Sequence, residues 1–381
     1  MANKYKLFSA DSHLEISPER WNGRVPQKYR DRAPRLIKLP NGGDGIIVEG
    51  QPVYVLGLAV AGRPYEEHQL TGLNYETSAG AGSPEQRLKE QHRDGIDGEI
   101  LFTSAGNLGF WRGIRNDDAY LAVLHAYNEF LVEEYSVCDR ERLLTMGVIP
   151  THSVDAAVKE LEYCRKQGLK GVLINSFPSG NLYPSAEDDR FWAAALDLNM
   201  PVTVHVGLQK TDGPLFKYDK TPGEVAFGGD PIRVLTRFAG ASGLNAVQLV
   251  LSGVFDRYPK LRIYWAETQM GWLPYFYEQL DDVYKRSRYW MERDFGLKPL
   301  KKAPSAYIRE HCLWGFIYDP IGMRLRYDVG VDNIMWGNDF PHSAGDWPNS
   351  KRVIEDLFSG VPEDERQKIL VENAVNYFHL N

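Results

Sequence analysis

Asp11 and His13 lie close after a short apolar, β-rich run and offer a carboxylate and an imidazole from alternate positions. In extended backbone, residues two apart project to the same side, so both could reach one cation. A D-x-H pair alone is weak evidence, because the same residues also make a turn with a helix cap. Two further donors strengthen it: His205 ends the run VTVH, and Asp339 follows a later run in WGNDFPH. Taken singly, His205 reads as a satisfied core histidine and Asp339 as a turn former before Phe-Pro. Their shared placement at strand C-termini argues for one site. Imidazole and carboxylate donors suit Zn²⁺ first and also admit Mn²⁺ or Fe²⁺, so one divalent metal is the expected cofactor.

Other residues near these positions carry proton chemistry. Glu267, in WAET, follows an apolar run and could serve as general base, accept a substrate proton or ligate metal. A purely structural carboxylate there would pair with Arg288. His342, three residues after Asp339, could bond that aspartate or touch substrate, and Glu15 could orient a ligand, bind metal or cap a helix. The catalytic candidates are therefore Glu267, Asp339 and His342. Arg112 is a candidate carboxylate clamp. Trp272 and Phe340 are candidate substrate-facing rings, along with Trp111, Tyr275 and Trp347, although core packing explains any single ring equally well. His68, His92, His125, His152, His311 and His379 read as surface or packing residues.

These donors require elements that bring them to one rim. Eight β-rich runs occur at 6–10, 98–103, 145–149, 171–174, 201–205, 262–267, 312–317 and 333–337. Helical patterns at 117–139, 153–167 and 186–198 alternate with them, which predicts a parallel sheet. Eight repeats suggest closure into an α/β fold of the (β/α)₈ TIM-barrel type, whose catalytic groups lie at strand C-termini. Runs such as VLI at 172–174 suit strands covered on both faces. Two segments exceed a minimal barrel: 17–85, with a small hairpin expected near 45–56, and 270–307, which carries an amphipathic aromatic helix. Both read as insertions after strands one and six, on the catalytic face. The chain is expected to be one domain over 1–381.

Composition narrows the partners. With 43% hydrophobic and 25% charged residues the chain can bury a large core, and a net charge of −7 without a basic run lacks the footprint of a nucleic-acid binder. A small-molecule substrate is expected. No window approaches the ~20 apolar residues of a membrane span, and the first nine residues are too polar for a signal peptide. Three scattered cysteines fit a reducing compartment, so a cytoplasmic location is expected. The aromatic helix and long insertion expose enough apolar surface to predict a homodimer.

Five stretches carry a family resemblance: SADSHLEISPERW at 9–21, VPQKYRDRAPRL at 25–36, RDGIDGEILF at 93–102, FDRYPKLRIYWAETQMGWLPY at 255–275 and IMWGNDFPHSAGDWPNS at 334–350. In their order and spacing the chain resembles the amidohydrolase-related family that includes aminocarboxymuconate-semialdehyde decarboxylase and the dihydroxybenzoate decarboxylases. The resemblance implies a metal held by Asp11, His13, His205 and Asp339. Strand four ends as LIN at 173–175, without the lysine that bridges two metals in dinuclear relatives, so a single ion is expected. Where many relatives carry a histidine after strand six, this chain has Glu267. The leading expectation is hydrolysis of a small cyclic or aromatic carbonyl or carboxylate compound by metal-activated water. The alternative is non-oxidative decarboxylation of an aromatic or unsaturated acid. A third reading is an iron-dependent oxygenase, and a fourth a barrel that only binds a ligand or partner.

Overall fold

The computed structural model describes residues 4–49, 53–55, 59–69, 71–103, 111–181, 183–208 and 241–380. Strand β1 (Phe8–Leu14) is followed by three short antiparallel strands, β2 (Arg35–Lys38), β3 (Asp44–Ile47) and β4 (Tyr54–Val55). Seven strands then join β1 in one parallel sheet: β5 (Gly98–Thr103), β6 (Leu143–Val148), β7 (Gly171–Ile174), β8 (Val202–His205), β9 (Ile263–Ala266), β10 (Cys312–Phe316) and β11 (Ile334–Trp336). Each strand pairs with its sequence neighbour in this series, as expected when helical connections return the chain to the same end of the sheet. All residues of β5, β6, β7, β9, β10 and β11 are buried, which explains their largely apolar character, with Glu99, Thr103 and Thr145 as the polar exceptions.

Local sequence starts and stops the helices between them. Ser83, Asn116 and Ser153 accept backbone N–H bonds at the beginnings of helices Pro84–Asp94, Asp117–Phe130 and Val154–Gln167. The helix expected over 117–139 is regular only to Phe130 and continues with a wider turn over Leu131–Ser136. The hairpin expected near 45–56 belongs to the three-stranded β2–β4 meander, and its residues 50–52 and 56 lie outside those described. After β9 the chain forms helix Leu273–Phe295 and then Pro304–His311 before entering β10.

The first strand departs most usefully from expectation. Predicted over 6–10, β1 instead runs to Leu14, so Asp11 and His13 lie inside a strand. The reason is the barrel seam. Asp339 N donates to Asp11 O at 2.9 Å and His13 N donates to Phe340 O at 2.7 Å, so the residues just after β11 pair with the second half of β1. Gly337 makes this approach possible, because a Cβ there would lie 2.5 Å from the Asp11 Cβ.

A buried ion pair braces the seam from outside. Arg87, on helix Pro84–Asp94, holds Glu99 of β5 through Nε–Oε1 at 2.6 Å and Nη2–Oε2 at 2.9 Å, with side chains 2% and 1% exposed. Its Nη1 donates to His13 O at 2.8 Å, and its guanidinium lies 4.4 Å from the Phe340 ring centre. Gln91 adds a bond to Glu99 Oε1 at 2.6 Å. Because removal of one partner leaves a buried charge, Arg87→Met should destabilise the protein by about 3–5 kcal/mol in urea unfolding. Arg87→Met combined with Glu99→Leu should recover a large part of that loss; a double variant no more stable than the single would refute a charge-pairing origin.

Candidate metal centre

Four donors meet where β1, β8 and the turn after β11 converge. Asp11, His13, His205 and Asp339 each offer one atom, and these atoms all lie within 4.8 Å of one another. His13 Nε2 is 3.2 Å from Asp339 Oδ1 and 3.5 Å from Asp11 Oδ1, while His205 Nε2 is 3.6 Å from Asp11 Oδ1. An ion with bonds near 2.0–2.2 Å has donor–donor edges of about 3–3.6 Å, so this spacing fits one cation. His13 Nε2 and both Asp339 carboxylate oxygens are buried without a hydrogen bond among the described residues. At 3.2 Å the imidazole nitrogen and the carboxylate oxygen face each other as two electron-pair donors do when aimed at a common cation.

The imidazole tautomer agrees with this. His13 Nδ1 lies 3.1 Å from the Thr103 carbonyl, which only accepts, so Nδ1 carries the proton and the Nε2 lone pair faces the cluster. Burial, reinforced by the neighbouring His342, holds His13 down to about 4 and hence neutral at pH 7. Burial alone would raise Asp339, but His342 and His13 hold it below the ordinary carboxylate range. His342 sits behind Asp339, with Nδ1 3.2 Å from its Oδ1 and Nε2 2.8 Å from Glu15 Oε1. Burial opposes charge on His342, yet Asp339 and Glu15 outweigh it and raise His342 to about 9.

Glu267 lies beside the cluster, fully buried, with Oε2 3.3 Å from His205 Nε2. It leaves β9 in a left-handed conformation at φ 54°, and Asp339 at φ 50° and Val206 at φ 61° do the same after their strands. Such backbone is uncommon for residues other than glycine, and for a β-branched valine it is an outlier. Each costs of order 1–3 kcal/mol and persists where surrounding contacts over-determine it. Here those contacts include Val206 N to Ala266 O at 2.9 Å and the seam bonds of Asp339.

The structure thus brings together Asp11, His13, His205 and Asp339, with Glu267, His342 and Glu15 against them. The residues expected to meet substrate are placed differently. Arg112 is 3.5 Å from Asp117 and lies over the Tyr120 ring. Phe340 is 2% exposed and sits between Arg87 and Trp347. Trp272 is half-buried, donates to Thr268 O at 3.0 Å and meets Trp314 edge-on. Sequence reasoning missed Arg87 and Glu99, although a glutamate inside the apolar run GEILFT was a legible sign of a buried partner.

Comparison with known proteins agrees with this architecture. An amidohydrolase from Mycobacterium avium subsp. paratuberculosis K-10 superposes with a TM-score of 0.74 at 18% identity, covering 99% of this chain and 100% of that one. The dihydroxybenzoic acid decarboxylase of Polaromonas sp. JS666, solved with bound manganese and 2-nitroresorcinol, superposes at 0.59 with 20% identity over 98% and 97% of the two chains. Gamma-resorcylate decarboxylase of Rhizobium radiobacter is 26% identical over 314 residues, 77% of this chain and 86% of that protein. The Amidohydrolase family profile matches residues 58–380. With a barrel of eight parallel strands and a matched region spanning most of its length, the chain belongs to the amidohydrolase family.

Proposed function

We propose that this chain is a non-oxidative decarboxylase of an aromatic or unsaturated carboxylic acid, dependent on one divalent ion at Asp11, His13, His205 and Asp339. The observation that carries this reading is the similarity to gamma-resorcylate decarboxylase over 77% of the chain. Hydrolysis at the same donors is the competing reading, with Glu267 drawing a proton from water. The manganese named with the Polaromonas enzyme makes Mn²⁺ the first ion to test beside Zn²⁺ and Fe²⁺.

Asp11, His13, His205 and Asp339 would hold the ion, which would supply positive charge for binding the anionic oxygens of the substrate. Glu267, placed at the cluster edge, delivers a proton to the carbon that carries the carboxylate. The carbon–carboxylate bond then breaks, its electron pair returns to the ring or alkene, and carbon dioxide leaves. A proton from solvent restores Glu267. His342 keeps Asp339 oriented from behind and Glu15 keeps His342 in place, so both position groups without touching substrate. Trp272 is retained as a candidate wall of the substrate pocket.

The lack, among the described residues, of a helix long and apolar enough to cross a membrane, together with unpaired Cys138, Cys164 and Cys312, supports a cytosolic location. Helix Leu273–Phe295 exposes Tyr275 at 72%, Tyr289 at 63% and Phe295 at 75%, which supports a homodimer.

His205→Ala should lose its metal in native mass spectrometry together with turnover; stoichiometric metal and full activity would remove His205 from the centre. With the metal-loaded enzyme and a panel of hydroxybenzoates and unsaturated acids, Glu267→Gln should lower carbon dioxide release by about 10²–10⁴-fold, with metal content and melting temperature nearly unchanged. In D₂O the product should gain deuterium at the vacated carbon; uptake of ¹⁸O from labelled water without carbon dioxide release would instead establish hydrolysis. Light scattering should give about twice the 43.3 kDa chain mass at micromolar concentration, and a monomer there would contradict the assembly.

A further inference from the structure

Asp319, which follows β10 on the neighbouring barrel unit, collects an unusual set of bonds. Its Oδ2 accepts from Met270 N and from Gly271 N, both at 2.7 Å, and its Oδ1 accepts from Gly322 N at 2.7 Å. The last bond is an ordinary cap for helix Pro320–Arg324. The first two are not needed by that helix. They satisfy the two N–H groups that follow the turn 267–269, where Glu267 and Gln269 both adopt left-handed backbone, at φ 54° and 55°.

Other contacts converge on the same turn from β10. Thr268 N and Gln269 N both donate to Gly315 O, at 3.0 and 3.1 Å, and Ile317 N donates to the Gln269 side-chain oxygen at 3.2 Å. Gly315 lets the turn lie flat, since a Cβ there would stand 3.1 Å from Glu267 N and 3.0 Å from the Ala266 Cα. Two left-handed residues within three positions are strained and persist only where surrounding contacts over-determine them. Asp319 is the charged anchor, 9% exposed, and charge-assisted bonds to backbone N–H are the stronger kind.

We propose that Asp319 is a positioning residue for the reaction: it fixes the 267–271 turn from the seventh barrel unit and thereby holds the Glu267 carboxylate beside His205. This rests on the reading that Glu267 handles the proton. Asparagine at 319 retains the size but presents at most one accepting oxygen where the carboxylate presents two, so one side of the anchor loosens.

The test uses the metal-loaded full chain. Asp319→Asn should lower kcat by about 10–10²-fold, the scale of a misplaced catalytic group, while KM and metal stoichiometry hardly change. Combined with Glu267→Gln it should be no slower than Glu267→Gln alone, because both act on one group. Wild-type kcat in Asp319→Asn, or losses that multiply in the double variant, would overturn the proposal. A crystal structure of Asp319→Asn should show the Glu267 carboxylate displaced from His205, and an unmoved carboxylate would overturn it whatever Glu267 does. Full turnover in Glu267→Gln alone would remove the proton role and leave that structural comparison to decide whether Asp319 places Glu267.

Discussion

Two backbone hydrogen bonds at the seam, Asp339 N to Asp11 O and His13 N to Phe340 O, make the fold and the centre a single object. A barrel must close, and here it closes through the residues that carry the donor side chains. The alternating pleat of β1 puts Asp11 and His13 on one side, and pairing with Asp339 sets how far its carboxylate stands from them. Slippage at this seam would open the barrel and scatter the donors at once. That explains why a strand expected to end at Ala10 continues to Leu14, with an irregularity in its pairing to β5 between Ser9 and Ser12. Asn338 fills that irregularity, its side-chain oxygen accepting from Ser9 and Ser12 hydroxyls at 3.0 and 2.9 Å.

Charge around the seam follows one logic. Burying a carboxylate is costly unless a positive group or several donors answer it. Glu99 is answered by Arg87, whose third contact, to His13 O, ties the pair to the seam. Glu15 is answered by His342 at 2.8 Å. Asp339 faces His13 and, from behind, His342, while Asp11 and Glu267 face His13 and His205, with His13 held neutral by burial. Imidazole and carboxylate donors thus meet at one buried point, a physical reason to test a divalent cation there.

Much of this was legible in the chain itself. Period and composition revealed eight strands, and the donors could be ranked because all four stood at or just after the ends of the expected strands. Glu267 was visible as a carboxylate directly after an apolar run, and His342 by its place three residues after Asp339. Arg87 was not, because PEQRLKEQHRD reads as an exposed amphipathic helix until Glu99 is known to point at it. Asp319 was hidden for another reason. Its partners are backbone N–H groups 48 and 49 positions away, and backbone donors carry no side-chain signature. Phe340, expected as a substrate-facing ring, is buried and serves as the surface on which Arg87 lies.

If Glu267 handles the proton as proposed, the same arrangement bears on the direction in which that proton moves. In hydrolysis it would meet a neutral carbonyl compound and a water, and a carboxylate beside a cation is well suited to remove a proton from that water. In decarboxylation the substrate is itself an anion and must enter beside Glu267 and Asp339. Two carboxylates confined in one buried space favour holding a proton between them, because like charges there cannot both be fully ionised at low cost. An acidic substrate would therefore add a further carboxylate beside Glu267, while a neutral one would not. On this argument the charge of the substrate selects between the two chemistries. The rigid turn that fixes Glu267 next to His205 matters for decarboxylation above all, since a proton must reach one carbon and no other.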